Sequence, residues 1–79
     1  MDLDEILVLF FQECDDGLAV AEQGLVALAG GAADAEQINA VFRAIHSIKG
    51  GAGAFGFEAL VAFAHKFETV LDHVRAGQL

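Results

Sequence analysis

Residues 44–57 read Ala-Ile-His-Ser-Ile-Lys-Gly-Gly-Ala-Gly-Ala-Phe-Gly-Phe, and this stretch decides how the rest of the chain is interpreted. His46 stands one helical turn before Lys49, and four glycines follow within seven residues: Gly50, Gly51, Gly53 and Gly56. Each glycine costs a helix about 1 kcal/mol relative to alanine, so an ordinary core helix would not collect them at its end. The pattern indicates a bare surface beside His46 that another molecule approaches closely.

The composition limits the chain to one small domain. It has 79 residues, of which 56% are apolar, with a mean hydropathy of +0.53 and a net charge of −8. The negative charge disfavours nucleic acid and anionic membrane surfaces as partners. No charge-free apolar run approaches the roughly 18 residues of a membrane span, and the acidic start is unlike a signal peptide. The single cysteine, Cys14, cannot form an internal disulfide, so we expect a reducing, cytoplasmic location.

Three segments have helical periodicity, and none alternates apolar and polar residues as a strand would. The predicted helices cover about residues 3–29, 35–51 and 57–76, with the second fading among the glycines. The first two begin with possible capping boxes, formed by Asp2 with Glu5 and by Asp34 with Gln37. Short connections make consecutive helices antiparallel, so the sequence predicts an all-α, up-down helical bundle.

The apolar surface is large for three helices, which are one fewer than a four-helix bundle contains. We expect this surface to be covered by a further helix, either beyond Leu79 or from a second copy of the chain by self-association. The alternative is an unassisted three-helix bundle.

Two helices carry polar residues beside their apolar stripes. On ideal geometry, His46 lies about 80° from Ile38 on the second helix. On the third helix, Glu68 lies about 80° from Leu60 and His65 about 140° from it. If the two helices pair in antiparallel fashion, Glu68 can face His46 across the groove between them.

This arrangement suits transfer of a phosphoryl group. A carboxylate that accepts the Nδ1–H of a histidine fixes its tautomer and orients its ring, which leaves the Nε2 lone pair available as a nucleophile. Lys49 would place an ammonium group near the anion that Nε2 attacks or carries. The glycines would give clearance to the active site of another protein.

The stretch His46–Phe57 resembles the phosphorylation motif of histidine phosphotransfer (HPt) domains. Ala64–Asp72 and Arg75–Gly77 resemble the third helix of that family, and Gly-Gly-Ala-Gly-x-Phe-Gly-Phe at 50–57 is typical of HPt domains from chemotaxis kinases of the CheA type. The similarity covers essentially the whole chain. It implies an HPt-type four-helix bundle, of which this sequence holds only three helices.

The resemblance also implies a function. His46 would receive the γ-phosphoryl group of ATP from a separate kinase ATP-binding domain and pass it to an aspartate in the receiver domain of a CheY-like response regulator. Glu68 would be the Nδ1 partner, with Lys49 and His65 in support. The domain would bind no cofactor and would not be a catalyst alone, although its parent would be a histidine kinase. The expected partner surface comprises Gly50, Gly51, Gly53, Phe55 and Gly56.

Other interpretations remain open or are set aside. The domain could serve a phosphorelay outside chemotaxis, or it could be a helical interaction or dimerisation module whose histidine is incidental. A dinucleotide site at Gly51–Gly56 is set aside because its G-x-G-x-x-G pattern follows a helix, not a strand. No metal site is expected from His46, His65 and Glu68, because the paired Glu-x-x-His motifs of bundle di-metal sites are missing.

Overall fold

The computed structural model describes residues 2–32 and 34–77, and within these ranges it consists of three α-helices. They are α1 (Leu3–Ala29), α2 (Ala35–Ala54) and α3 (Glu58–Arg75). Asp2 Oδ1 accepts a hydrogen bond from the Glu5 amide at 2.9 Å, and Asp34 Oδ1 accepts one from the Gln37 amide at 2.7 Å. These bonds satisfy amides that have no partner within the first turn of a helix. The all-α class is confirmed.

The second helix ends later than predicted, at Ala54 and not near residue 51. The left-handed turn that stops it comes at Gly56, which has a φ of +76°. There the Phe57 amide donates to the Ala52 carbonyl at 2.9 Å and the Gly56 amide donates to the Gly53 carbonyl at 3.2 Å. This is a Schellman motif, which needs a residue that tolerates positive φ. The expectation that the helix fades among its glycines is therefore wrong, because the helix continues through Gly51 and Gly53 to that turn.

Contacts between the helices establish their antiparallel order. From α1 to α2, Phe10 lies against Gly51 and Gly24 lies against Val41, so position numbers fall on one helix as they rise on the other. From α2 to α3, Asn39 contacts Arg75 and His46 contacts Glu68, again in opposite directions. The long dimension of 43 Å matches about 40 Å for a helix of the length of α1. The described residues therefore form an up-down bundle.

Glycines let α1 approach α2 closely. A Cβ added at Gly24 would lie 2.2 Å from Cγ2 of Val41, and one added at Gly51 would lie 2.3 Å from Cε1 of Phe10. Both distances are far below van der Waals contact, so each glycine accommodates a side chain of the facing helix. Gly17, beside Ile48, belongs to the same interface. These contacts fix the position of α2, which carries His46.

The core surrounds α2, whose Ile45 is only 1% exposed. Cys14 is a free, half-buried thiol packed against this core, and burial, followed by the charges of Asp15 and Glu13, raises its pKa. Over the described residues, α1 and α3 both pack on α2, and no Cα atom of α1 lies within 8 Å of one in α3. Their separation leaves a largely apolar groove, whose lining includes Leu25, Leu28, Phe63, Phe67, Val70 and Val74 together with Lys66.

The groove is the apolar surface that we expect a further helix or a second copy of the chain to cover. Val70 and Phe63 are 52% and 55% exposed, although both are apolar. That a further helix or a second copy covers this surface stays a prediction.

None of the helices in the described ranges combines the length and apolarity that crossing a membrane requires.

Candidate functional site

Three polar side chains meet where α2 faces α3. Nδ1 of His46 lies 3.0 Å from Oε1 of Glu68, and Nζ of Lys49 donates to Oε2 of the same carboxylate at 2.9 Å. His46 and Lys49 are three positions apart on α2, so both project from one helix face toward α3. One glutamate thus engages both residues with its two oxygens.

The carboxylate of Glu68 is buried, while its partners are more accessible. The side chain of Glu68 is 10% exposed, that of Lys49 is 25% exposed and that of His46 is 64% exposed. Burial by itself would raise the pKa of Glu68, but hydrogen bonds and charges from Lys49 and then His46 outweigh it and hold that pKa below its ordinary value. Glu68 is therefore an anion at neutral pH.

The ionised carboxylate determines the protonation pattern of the His46 ring. An ionised carboxylate only accepts hydrogen bonds, so Nδ1 carries the proton in this contact. In the neutral imidazole, the lone pair then resides on Nε2. Because the His46 side chain is 64% exposed, a visiting molecule can reach this ring. The site is suited to nucleophilic chemistry at Nε2.

His65 does not join this group in the structure. It is exposed on α3, and apart from the backbone bonds of the helix the hydrogen bond found at it in the described residues uses its carbonyl, which accepts from Oγ1 of Thr69 at 3.1 Å. Its supporting role stays a prediction.

Over residues 2–32 and 34–77, no three His, Cys, Asp or Glu side chains are grouped in a way that would hold a metal ion.

The predicted partner surface divides into two parts. A Cβ added at Gly50 or Gly56 would meet no atom within 4 Å, and one added at Gly53 would only touch Val61, at 4.0 Å. Gly50 and Gly56 thus face open space, and Gly53 has room for a methyl group. Gly51 instead accommodates Phe10, and the half-buried Phe55 ring lies 5.3 Å from the Phe10 ring. Gly51 and Phe55 thus have packing roles, whatever they contribute to a partner surface.

Two contacts near the site were not predicted from the sequence: Phe42 lies beside His46, and Arg75 lies over the Phe42 ring. The rings of Phe42 and His46 are nearly parallel, at 7°, with centroids 6.2 Å apart. Cζ of Arg75 lies 4.2 Å from the centre of the Phe42 ring. The four-residue spacing from Phe42 to His46 was the available signal, because such residues share a helix face.

The sequence pattern of the Hpt domain family matches residues 5–79. The chain belongs to the Hpt domain family. This membership supports a phosphorelay carrier role for the domain and agrees with its helical fold. The matched range includes every residue of the His46 site.

Relatives of this Hpt domain are chemotaxis proteins. It is 61% identical over 79 residues to chemotaxis protein CheA of Rhizobium meliloti (strain 1021), covering 100% of this chain and 10% of that protein. It is 51% identical over 82 residues to chemotaxis protein CheA of Cereibacter sphaeroides, covering 100% of this chain and 12% of that protein. For CheA of Salmonella typhimurium (strain LT2), the identity is 49% over 79 residues, with 100% and 12% covered. The chain therefore spans about a tenth of the length of these relatives.

Proposed function

We propose that this Hpt domain carries a phosphoryl group on Nε2 of His46. The group comes from ATP held by the ATP-binding domain of a histidine kinase and passes to an aspartate in the receiver domain of a response regulator. The observation that carries this proposal is the 3.0 Å contact of His46 Nδ1 with the buried carboxylate of Glu68, on a ring whose side chain is 64% exposed.

The chemistry consists of two displacements at phosphorus. In the first, the Nε2 lone pair forms an N–P bond while the bond from the γ-phosphorus to the oxygen of the departing ADP breaks. The ring gains positive charge, which the Glu68 carboxylate at Nδ1 stabilises. In the second, an aspartate oxygen attacks the phosphorus, the N–P bond breaks and neutral His46 is restored. Lys49, one turn away, is the charge partner of the phosphoryl group.

The partners follow from the location of the site and from the relatives. Gly50 lies about one helical turn past His46 with open space beside it, so two visiting active sites could approach from that side. The relatives named chemotaxis protein CheA favour a chemotaxis-type kinase as the parent and a CheY-like protein as the acceptor. We place the domain in the cytoplasm and assign ATP binding to the kinase domain, not to this chain.

Incubation of the chain with labelled ATP and the ATP-binding domain of a chemotaxis kinase tests this function. We expect an acid-labile, alkali-stable label that is lost in His46→Gln and retained in His73→Gln, which removes an exposed histidine of α3. Addition of a receiver domain should then remove the label from the chain. If the chain takes no label while a known HPt domain does, the helical interaction module becomes the better interpretation.

A further inference from the structure

We propose that Phe42 is a positioning residue for His46. Glu68 holds one atom of the imidazole, and the ring of Phe42 holds its plane. This inference rests on the proposed function, because it concerns the direction in which Nε2 points during phosphoryl transfer. Its basis is the near-parallel arrangement of the two rings, with 7° between their planes and 6.2 Å between their centroids.

A single hydrogen bond does not fully fix the orientation of the His46 ring. The contact between Nδ1 and Oε1 of Glu68 tolerates a range of distances and angles, so it restricts the rotation of the ring about χ2 only in part. In-line displacement at phosphorus requires the Nε2 lone pair to lie along the line of attack, and small misplacements are costly. A flat neighbour one turn earlier on α2 restricts the rotation further, and an offset parallel pair at this separation is a favourable aromatic geometry.

Phe42 is itself held in place from α3. Cζ of Arg75 lies 4.2 Å from the centre of the Phe42 ring, within the range of a cation–π contact. The guanidinium is held by two further groups, since Nη1 donates to Oδ1 of Asn39 at 3.0 Å and Nη2 pairs with Asp72. The Phe42 ring is half-buried and packs against the hydrophobic core. It therefore offers His46 a fixed surface.

The two supports of His46 come from one pairing of helices. Glu68 contacts His46 directly, and Arg75, two turns further along α3, acts through Phe42. Since Asn39 and Phe42 precede His46 on α2, the antiparallel order brings these contacts together. The α2–α3 pairing thereby sets both the position and the plane of the nucleophilic ring.

The test measures phosphorylation rates of Phe42→Leu, Phe42→Tyr and Phe67→Leu by the kinase domain. Phe67 is the matched control, because it is also half-buried against the core but pairs with Phe63, at 5.9 Å, and not with His46. We expect Phe42→Leu to slow labelling about tenfold. Phe42→Tyr, which keeps the ring, and Phe67→Leu should stay within about twofold of the unmodified chain. Arg75→Gln should slow labelling about two- to fivefold.

Rates are compared at equal folded fractions, and two kinetic outcomes overturn the proposal. One is an unchanged rate in Phe42→Leu. The other is an equal loss in Phe67→Leu, which would assign the effect to general packing. If the unmodified chain takes no label, the proposed function fails, and the orientation of His46 is then decided by the spectroscopic measurement alone.

Nuclear magnetic resonance supplies that measurement. In the unmodified chain, we expect cross-relaxation between ring protons of Phe42 and His46. In Phe42→Leu, the freer ring should bond less well to Glu68, so the ¹⁵N shifts of the His46 ring should move toward those of a tautomer mixture, while the exposed His65 and His73 serve as internal references. Absence of the cross-relaxation in the unmodified chain contradicts the proposal, and it requires no variant that folds.

Discussion

The two sides of α2 share one apolar core, but each adds a different kind of contact to it. Toward α1, the close contacts are apolar: Gly24 of α1 makes room for Val41, and Gly51 of α2 makes room for Phe10. Toward α3, it presents His46 and Lys49 to one buried carboxylate, with hydrogen bonds of 3.0 and 2.9 Å. Close packing depends on shape alone, whereas the polar side depends on charge and on the placement of single atoms.

The difference explains how a small domain keeps a reactive side chain both exposed and oriented. An exposed histidine ordinarily moves freely, and a buried one is unavailable to a partner. Here the apolar side fixes α2 against α1, and the polar side fixes the His46 ring through Glu68. The residues that need to be rigid are thus separated from the surface that needs to be open. Variants at the α3 side should consequently change the rate of phosphorylation, and variants at the α1 side should change the free energy of unfolding.

On the polar side, Glu68→Gln has the largest expected effect. Glutamine can still accept a hydrogen bond from Nδ1, but it lacks the charge that stabilises the ring as Nε2 attacks. We expect phosphorylation to slow roughly 10–100-fold, by analogy with carboxylates that support metal-bound histidines. The measurement is the initial rate of labelling by the kinase domain.

Glu58→Gln is the matched control for this prediction. It removes the same charge from an exposed position in the first turn of α3, so its labelling rate should remain close to that of the unmodified chain. If Glu68→Gln were labelled as fast as Glu58→Gln, the contact of Glu68 with His46 would have no part in the transfer.

On the apolar side, Gly51→Ala should lower stability without a change in charge. Alanine adds about 1 kcal/mol of helix propensity, but its Cβ would lie 2.3 Å from Cε1 of Phe10. The Phe10 ring is 5% exposed and lies against Phe55, so it has little room to withdraw. Overpacking costs about 1–3 kcal/mol, so we expect a net loss near 1 kcal/mol in urea unfolding.

Gly50→Ala is the neighbouring control for that loss. A Cβ added there meets no atom within 4 Å, so only the gain in helix propensity remains and stability should rise by about 0.5–1 kcal/mol. A stabilised Gly51→Ala would show that Phe10 repacks at little cost. If Gly50→Ala is stabilised and yet labelled more slowly, the added methyl obstructs a visiting active site.

The sequence predicts the polar side better than the apolar side. The angular positions of His46 and Glu68 follow from helical geometry, and antiparallel order follows from short connections, so their encounter could be predicted. The partners of Gly24 and Gly51 lie on another helix, at a register that periodicity does not specify. The end of α2 depends on one φ angle at Gly56, and the contact of Arg75 with Phe42 depends on side-chain placement.

The smallest expected effect is confined to acid pH. Because the folded-state pKa of Glu68 is depressed, its carboxylate stabilises the fold above the ordinary glutamate pKa of about 4.3. That contribution is lost as the pH falls from there through the folded pKa. The difference in unfolding free energy between the unmodified chain and Glu68→Gln should therefore be constant at neutral pH and diminish below about pH 4. In Lys49→Met, the hydrogen bond and charge that counter the effect of burial are removed, so the pKa of Glu68 should rise. The loss of stability on acidification should then occur at higher pH. A difference that grew on acidification would mean that burial, and not the bonds from Lys49 and His46, dominates this carboxylate.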